Sequence, residues 1–394
     1  MKILMIAPEP FFEPRGTPFS VFHRSKALGK LGHKIDLVAY HLGEDVDIKN
    51  VEIHRIPKVP FINHVAIGPS LTKIPLDIVL FFKSLYMLIK NNYNCIHVHE
   101  EAAFIGCIFK KIFRFPLIYD MHSSIPQQLT NFNFTKNGFL IKIAVIGEKW
   151  IIKKSDIIIA ICPHLGERVH TISPNKKVII IENTPLADQH NIATKEDIER
   201  LKKQLDIGNN KVILYTGTFE YYQGIDLLLK SIPQVIEKIN NVKYVLVGGE
   251  AEQIKEMKAL ANSFNIDNYV IFTGKRAVNE MPIFMAIADI LVSPRTIGTN
   301  TPLKIYSYLK SGKPIVATNL LTHTQVLDET VSILTAPEPA AFADGIVRLL
   351  TDDELRKQIG QKGMELANTK YTYDAFLRKT EQIYKYVEML RGSN

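Results

Sequence analysis

Cysteine is scarce in this 394-residue chain, and its three cysteines, Cys95, Cys107 and Cys162, are far apart. No two of them have the spacing of a disulfide framework or of a zinc motif. This scarcity excludes a disulfide-stabilised secreted domain and fits a reducing compartment inside the cell.

The chain also lacks an apolar run of the roughly 20 residues that cross a membrane. The longest candidate, residues 74–89, is interrupted by Asp77 and Lys83. Met1–Ala7 is apolar but too short for a signal peptide, and Glu9 follows it closely. We therefore expect a cytoplasmic protein without a transmembrane helix, whose first residues form a buried strand.

Two nucleotide-binding motifs are missing as well. Ala-Pro-Glu-Pro stands at residues 7–10, where a G-x-G-x-x-G motif would follow the first strand, and no Walker A motif occurs. These absences argue against a nicotinamide-dependent dehydrogenase and a P-loop NTPase. The net charge of +8 is dispersed and accompanies no nucleic-acid-binding motif, so an anionic small molecule or membrane surface accounts for it as well.

Strand-like and helix-like segments alternate along the whole chain, which predicts parallel sheets with crossover helices. A Pro-rich polar linker at residues 184–193 divides the alternation, so we predict Rossmann-like domains at 1–185 and 186–372 and a final helical segment at 373–394. Ligands of such sheets bind beyond the carboxyl ends of the strands, and two halves imply a cleft between them. The predicted strands are 2–7, 34–39, 51–55, 95–99, 117–119, 157–160, 178–181, 212–216, 243–247, 269–273, 290–293, 315–317 and 332–334.

The segment Ser293–Thr318 suits a diphosphate. Thr301 is predicted to cap a helix that starts at Pro302, and a helix start attracts anions. Arg295 and Lys304 lie on either side of this start. An ordinary strand–helix turn with two surface cations remains an alternative.

Other candidates lie in the loops that follow strands. Gly217, before Thr218, and Gly224, after Gln223, would let the backbone approach a ligand, and Gly16 allows an unusual backbone just before a helix at Pro18. A substrate contact and a structural turn are equally open at Gly16. On the helix from residue 302, Lys304 and Ser307 share one face, whereas Tyr308 and Leu309 are interpreted as core.

Three histidines occupy two neighbouring strands. His122 follows the strand at 117–119, and we expect it to point into the cleft. His97 and His99 alternate along the strand at 95–99, and we expect them to be partly buried or at the cleft edge. Metal binding is not expected, because no third ligand is evident.

At this point the sequence resembles the family 4 retaining glycosyltransferases of the GT-B fold, over nearly the whole chain. The resemblance implies an α/β fold of two Rossmann-like domains that face a cleft, with a C-terminal helix returning to the N-terminal domain. It is carried by the glycine-containing first loop and by Ile-His-Val-His (96–99), Tyr-Asp-Met-His-Ser (119–123), Tyr-Thr-Gly-Thr (215–218), Gln-Gly-Ile-Asp-Leu-Leu (223–228), Ala-Asp-Ile-Leu-Val-Ser-Pro (288–294) and Ser-Gly-Lys-Pro-Ile-Val-Ala (311–317).

The resemblance implies that the C-terminal half binds a nucleotide sugar and the N-terminal half binds the acceptor. It further implies transfer with retention of configuration, without a metal or other cofactor; the nucleotide sugar, a UDP- or GDP-sugar, is a substrate. His122 matches a histidine that contacts the transferring sugar, and Gly16 matches a loop near the donor phosphate. These two are the predicted catalytic residues.

The chain departs from the family at four positions. Thr218 and Gln223 replace an Arg and a Lys that neutralise the donor diphosphate, and Thr299 and Ser307 replace two glutamates. Our hypothesis is that Arg295 and Lys304 replace the missing cations. The predicted donor-binding residues are Gly217, Thr218, Gln223, Arg295, Thr299, Asn300, Thr301, Lys304 and Ser307.

Segments 61–89 and 132–154 combine large apolar residues with lysines. They suit an interfacial surface for a lipid-linked acceptor at the inner face of the cell membrane. For Phe139–Lys154 we prefer the alternative of a buried helix whose lysines reach out to water.

The sequence thus predicts a glycosyltransferase of cell-envelope or exopolysaccharide assembly that acts on a glycan or a lipid-linked acceptor and binds no nucleic acid. Two alternatives remain: a sugar-nucleotide epimerase of the same fold, and a non-catalytic scaffold subunit that binds a nucleotide sugar. The sequence leaves the oligomeric state open.

Overall fold

The computed structural model describes residues 1–13, 16–66, 68–131, 134–135, 137–184 and 193–392. Contacts divide the chain into two compact units: unit 1 consists of Met1–Asn183 and Tyr373–Asn394, and unit 2 of Thr184–Thr372. Most of the predicted linker, with the predicted boundary at 185/186, lies outside the described residues.

Unit 1 is built on seven parallel strands, and its first six helices alternate with them. The strands are β1 (Lys2–Ala7), β2 (Lys34–Ala39), β3 (Val51–Arg55), β4 (Cys95–His99), β5 (Leu117–Met121), β6 (Ile157–Ala160) and β7 (Lys177–Ile180). They form one sheet in the order β3-β2-β1-β4-β5-β6-β7. The helices are α1 (Gly16–Lys30), α2 (Lys73–Lys90), α3 (Ala102–Phe113), α4 (Ile125–Asn131), α5 (Gly138–Lys154) and α6 (Pro163–Ile172).

The central strands of this sheet are buried on both faces, which explains why β1 and β6 are almost continuous apolar runs. In β1, Leu4 and Ile6 face one core together with residues of α2, α3 and α5. Ile3 and Met5 face the opposite core, which includes residues of α1. The register pairs Ile3 with Ile35 and with Cys95.

Unit 2 repeats the plan with six parallel strands. They are β8 (Lys211–Thr216), β9 (Val242–Val247), β10 (Val270–Gly274), β11 (Ile290–Ser293), β12 (Ile315–Thr318) and β13 (Ile333–Thr335), in the order β10-β9-β8-β11-β12-β13. The helices are α7 (Lys195–Gln204), α8 (Ile225–Ile236), α9 (Ala251–Ser263), α10 (Met281–Ile287), α11 (Leu303–Lys310), α12 (Leu321–Thr324), α13 (Pro339–Thr351) and α14 (Asp353–Thr369).

The last helix, α15 (Tyr373–Gly392), belongs to unit 1 although it follows unit 2 in the chain. Its buried residues Phe376, Ile383, Tyr384 and Val387 recur at helical spacing and join the core on the α1 side of the sheet. The C-terminal helix therefore returns to the N-terminal unit, as the resemblance implies.

Every predicted strand is present, with ends within two residues of the prediction. The short helices α4 and α12 were not predicted, because each contains fewer than two turns of helical pattern. Strand β5 extends two residues beyond the predicted end at Tyr119, so Asp120 lies inside the sheet. In a sequence, a charged residue after an apolar run usually indicates that a buried strand has ended. Asp120 is an exception, because charged residues can be buried when they are paired.

The expectation that Phe139–Lys154 is a buried helix is wrong. Only Ala144, Glu148, Ile151 and Ile152 of α5 are buried, whereas Phe139 and Ile146 are largely exposed. None of the helices in the described part of the chain is long and apolar enough to span a membrane.

Candidate functional site

In unit 2, the loops that follow β8 and β11 touch each other beyond the strand ends. Gly224 has a φ of 72°, and a Cβ built on it would lie 1.9 Å from the carbonyl oxygen of Pro294. Only glycine permits both this conformation and this approach. The Gln223 side chain thereby lies beside the next loop, where its Oε1 is 3.5 Å from Arg295 Nε.

The helix at this site starts one residue later than predicted, and Thr301 does not cap it. The N-cap of α11 is Pro302, with φ −63° and ψ 136°, and no side chain caps the first turn. Since Pro302 itself keeps an extended ψ, Thr301 lies one residue too early to reach the helical amides. Its Oγ1 is buried and has no hydrogen-bond partner among the described residues.

Lys304 lies in the first turn of α11 with its amine directed across the strand ends. Its Nζ is 3.7 Å from the ring centroid of Tyr215 and 3.6 Å from the point where Gly217 would carry a Cβ. The residue is 9% exposed, and within the described chain Nζ has no hydrogen-bond acceptor. Burial, and then the nearby Arg295, lower the pKa of Lys304 well below its usual value.

Arg295 has quite different surroundings from Lys304. Its Nη1 donates to the Asn300 carbonyl and to Thr322 Oγ1, both at 2.9 Å. The guanidinium also lies 5.2 Å from the Tyr222 ring centroid. Arg295 therefore closes the loop from 295 to 300 on itself, whereas the amine of Lys304 has no hydrogen-bond acceptor among the described residues.

Other predicted donor-binding residues take part in these loops mainly through backbone carbonyl groups that accept hydrogen bonds. The Thr299 carbonyl accepts from Gln325 Nε2 at 2.6 Å, and the Thr218 carbonyl accepts from Tyr215 Oη at 2.7 Å. Ser307 is buried one turn after Lys304 on α11. The structure thus brings Gly217, Gln223, Arg295 and Lys304 together, and it uses Thr218, Thr299 and Asn300 to hold the loops.

Two residues that sequence reasoning missed fix these loops to the sheet. Tyr308 lies in the hydrophobic core as interpreted, and its hydroxyl also accepts a hydrogen bond from the backbone N–H of Thr216 at 2.8 Å. His323 bridges Ser293 and Thr318 at the ends of β11 and β12. Burial lowers the pKa of His323 to about 3, so the ring is neutral. No local sequence pattern marks either contact.

In unit 1, Asp120 is the centre of a buried polar cluster. Its Oδ2 lies 3.0 Å from Arg24 Nε and 3.3 Å from His97 Nε2. Burial alone would raise the pKa of Asp120, but Arg24 and the histidines outweigh it and hold this pKa well below the usual value. The carboxylate is therefore charged and internally paired.

His122 belongs to the same cluster. Its Nε2 is 3.0 Å from His99 Nδ1 and 3.4 Å from Asp120 Oδ1. Burial lowers the pKa of His122 to about 4, so it is a neutral imidazole at pH 7. His97 and His99 are fully buried, not partly exposed as expected, because β4 is covered on both faces.

The C-terminal helix also takes part in this cluster. Tyr384 Oη lies 2.6 Å from His97 Nδ1, and Arg24 Nη1 donates to Thr380 Oγ1 at 3.0 Å. Because the charged Asp120 can only accept, His97 carries its proton on Nε2, and its Nδ1 accepts from the Tyr384 hydroxyl.

Glu100, directly after β4, is a further group that the sequence analysis missed. Its φ of 47° is unusual for a residue with a side chain, and it accepts from the Ser123 hydroxyl at 2.8 Å. Burial, and then the neighbouring Glu101, raise the pKa of Glu100 to about 8. The signal was an acidic residue at a strand end, next to the His-Val-His pattern.

Two groups of described residues have metal-ligand spacing. His97, His99 and Asp120 place one potential ligand atom each within 4.8 Å of one another, and the sequence analysis did not find Asp120 as a third candidate. However, the Arg24 guanidinium already occupies the carboxylate and would repel a cation. The second group, Asp36, Glu52 and His54, includes a carboxylate paired with Lys2 at 3.2 Å.

Gly16 is the first residue of α1 and is exposed, with a φ of 35°. A Cβ there would meet no atom of the described residues within 4 Å. Arg15, which precedes it in the predicted loop, lies outside the described residues.

Models of glycosyltransferase families match the sequence of both units. Residues 210–352 match the family described as "Glycosyl transferases group 1", and residues 14–184 match "Glycosyltransferase Family 4". Together the matches span about four fifths of the chain. A phosphatidyl-myo-inositol mannosyltransferase from Mycobacterium leprae is 23% identical over 403 residues, which cover 98% of this chain and 97% of that protein.

Solved structures show the same fold. Sucrose-phosphate synthase from Thermosynechococcus elongatus has a TM-score of 0.82 at 18% identity and covers 99% of this chain and 100% of its own. Anabaena Alr3699/HepE, solved with UDP and glucose, has a TM-score of 0.77 at 19% identity, with coverages of 99% and 100%. Both units therefore have the architecture of GT-B proteins.

The close approach at Gly224 predicts a graded response to alanine. Gly208 also has positive φ, 57°, but its Cβ would lie 4.0 Å from the nearest atom. We expect Gly208→Ala to cost about 1 kcal/mol from backbone strain alone. Gly224→Ala should cost at least twice that in urea denaturation, because the Pro294 carbonyl must also move. Equal losses would contradict the proposed packing.

The raised pKa of Glu100 predicts a pH-dependent stability. Because its folded pKa of about 8 exceeds its unfolded value, the folded state binds more protons between roughly pH 4.5 and 8, and stability falls as pH rises through this window. Glu100→Gln should therefore raise the melting temperature relative to wild type more at pH 8.5 than at pH 5.5. Glu167→Gln, at an exposed site on α6, is the control and should show no such trend. A pH-independent difference for Glu100→Gln would refute the assignment.

Proposed function

The chain belongs to the family 4 glycosyltransferases of group 1, and we propose that this glycosyltransferase retains the anomeric configuration and needs no metal ion. Its donor is a nucleotide sugar, with a UDP- or GDP-sugar favoured, and its acceptor is a glycan or a lipid-linked glycan. Cell-envelope or exopolysaccharide assembly would place such a reaction in the cytoplasm or at the inner face of the cell membrane.

The observation that carries the donor site is the amine of Lys304, which is buried without an acceptor. Such an amine carries a positive charge only at a cost in free energy unless an anion joins it. The first turn of α11 adds the positive end of a helix dipole to the same spot. A nucleotide diphosphate supplies the matching charge, and Gly217 leaves room for it beside the amine.

The chemistry proposed for the site is transfer by front-face attack. The bond between the anomeric carbon and the diphosphate oxygen breaks, negative charge grows on the diphosphate, and Lys304 with the helix start stabilises it. The departing diphosphate takes the proton of the attacking acceptor hydroxyl, and the new glycosidic bond forms on the same face of the sugar. No side-chain nucleophile is required.

His122 and Gly16 are proposed to serve the sugar and the donor phosphate from unit 1. A neutral imidazole can donate to or accept from a sugar hydroxyl without placing a second charge in the site. The Asp120 cluster would hold the ring in one orientation, because the neighbouring nitrogen of His99 and the carboxylate both constrain it. Ser307 is proposed as a ribose contact and Gln223 as a support for Arg295.

Replacing Lys304 tests the donor site directly. We expect Lys304→Met to weaken UDP binding roughly 10- to 100-fold, the worth of one charged hydrogen bond. Binding should also take up protons in the wild type, since a diphosphate returns the lowered pKa of Lys304 toward its usual value. Calorimetry in two buffers of different ionisation enthalpy measures both effects, and Lys304→Met should lose the buffer dependence.

The controls separate direct contact from loop support. Lys310→Ala, on the last turn of α11, should bind UDP like the wild type. Arg295→Ala should weaken binding and also lower thermal stability, because its loss opens the 295–300 loop. Unchanged affinity in both Lys304→Met and Arg295→Ala would discard the idea that these cations replace the missing pair.

Activity is tested by incubating the protein with labelled nucleotide sugars and following the anomeric proton by NMR. Slow donor hydrolysis or transfer, with the original anomeric configuration and no loss in EDTA, is the expected result. A new sugar epimer attached to the nucleotide would instead indicate the epimerase alternative. Tight binding of every donor without turnover would indicate a scaffold subunit.

A further inference from the structure

The outer surface of α2 in unit 1 is apolar where a surface helix is normally polar. Residues 74, 78, 82, 86 and 89 recur every three or four positions, and each is a large apolar or aromatic side chain that is more than half exposed. The helix also buries an apolar face with Leu76, Leu80 and Met87. The outer stripe is therefore additional to the one that the core requires.

Two neighbouring helices continue the stripe. On α5, Phe139, Ile143, Ile146 and Trp150 point outward at the same helical spacing, and α3 adds Ile108 and Ile112 between them. The helices α3 and α5 are in close contact, because a Cβ on Gly147 would lie 2.8 Å from the ring of Phe104. We refer to these outward residues of the three helices as the α2–α3–α5 face.

The exposed charges on these helices have one sign. They contain nine lysines and two acidic residues, Asp77 and Glu148. Asp77 accepts from the Tyr40 hydroxyl at 2.6 Å, and Glu148 is fully buried. No acidic side chain of α2, α3 or α5 is exposed, whereas Lys90, Lys111, Lys142, Lys149, Lys153 and Lys154 are.

We propose that the α2–α3–α5 face docks on a membrane surface rich in anionic lipid. An apolar stripe with flanking lysines is complementary to the acyl boundary and to the charged headgroups of such a surface. Aromatic Tyr86 and Trp150 suit the same boundary, where rings with a polar atom accumulate. Membrane docking would bring the protein to the lipid-linked acceptor proposed above. The observations that support docking are independent of those that support the donor site.

The chain has a single tryptophan, Trp150, and it lies on this face. Vesicles of phosphatidylcholine with 30% phosphatidylglycerol should therefore shift its fluorescence to the blue, and brominated acyl chains should quench it. Flotation with these vesicles at 0.1 M salt, with loss at 0.5 M salt and on pure phosphatidylcholine, is the expected result. Absence of flotation on anionic vesicles at low salt overturns the proposal.

Matched variants locate the contact. Phe82→Ser with Ile146→Ser should lower partitioning at least tenfold, and Lys142→Glu with Lys149→Glu about tenfold at low salt. Met389→Ser is the apolar control, because Met389 has the same 62% exposure as Phe82 but lies on α15, on the other side of the sheet. Lys34→Glu is the control for charge. Equal loss in test and control variants overturns the assignment of this face.

The remaining outcomes are also decisive. If ultracentrifugation shows a dimer that the Phe82→Ser and Ile146→Ser variant dissociates, and the wild type does not float, the face is an interface between copies and the proposal fails. UDP calorimetry on the same variants should match the wild type. Flotation without any nucleotide binding would refute the proposed donor site while leaving the membrane surface standing.

Discussion

The constraint on which both units depend is that a charge removed from water needs a partner. In unit 1 the requirement is met within the protein: Asp120 lies against Arg24 and three histidines, and the cluster extends to Thr380 and Tyr384 of α15. In unit 2 it is left open, because the buried amine of Lys304 has no acceptor within the described chain. An unpaired buried charge typically costs several kcal/mol, and this cost is the reason for proposing that the donor diphosphate binds at the amine of Lys304.

Much of the architecture could be predicted from the sequence because its signals are local. Parallel strands buried on both faces produce runs such as Lys2–Ala7 and Ile157–Ala160, and their bounds were predicted without error. The return of α15 to unit 1 followed from the family resemblance. The short helices α4 and α12 were not predicted, because segments of seven and four residues are too short to show a helical period.

The polar contacts were harder to predict, because they join residues far apart in the chain. Tyr308 resembles any core tyrosine until its hydroxyl is seen at the backbone of Thr216, 92 positions away. Arg24 lies in α1, where apolar and polar residues alternate without a clear pattern, and only the folded structure brings it next to Asp120. Likewise, the mixture of lysines and apolar residues in α5 fits two structures: a buried helix whose lysines reach water, or a helix with an exposed apolar face. Which of the two forms depends on how α5 packs against neighbouring helices.

The four departures from the family pattern, at residues 218, 223, 299 and 307, can be explained as one combined change in charge. A glutamate at position 307 would lie one turn from Lys304 on the same helix face, where opposite charges pair. Such a pair would occupy the amine of Lys304 and cancel the charge offered to a diphosphate. With serine at 307 and threonine at 299, the loss of two cations at 218 and 223 is matched by the loss of two anions. In the proposed donor site, the amine of Lys304 is then left for the diphosphate because Ser307 is neutral.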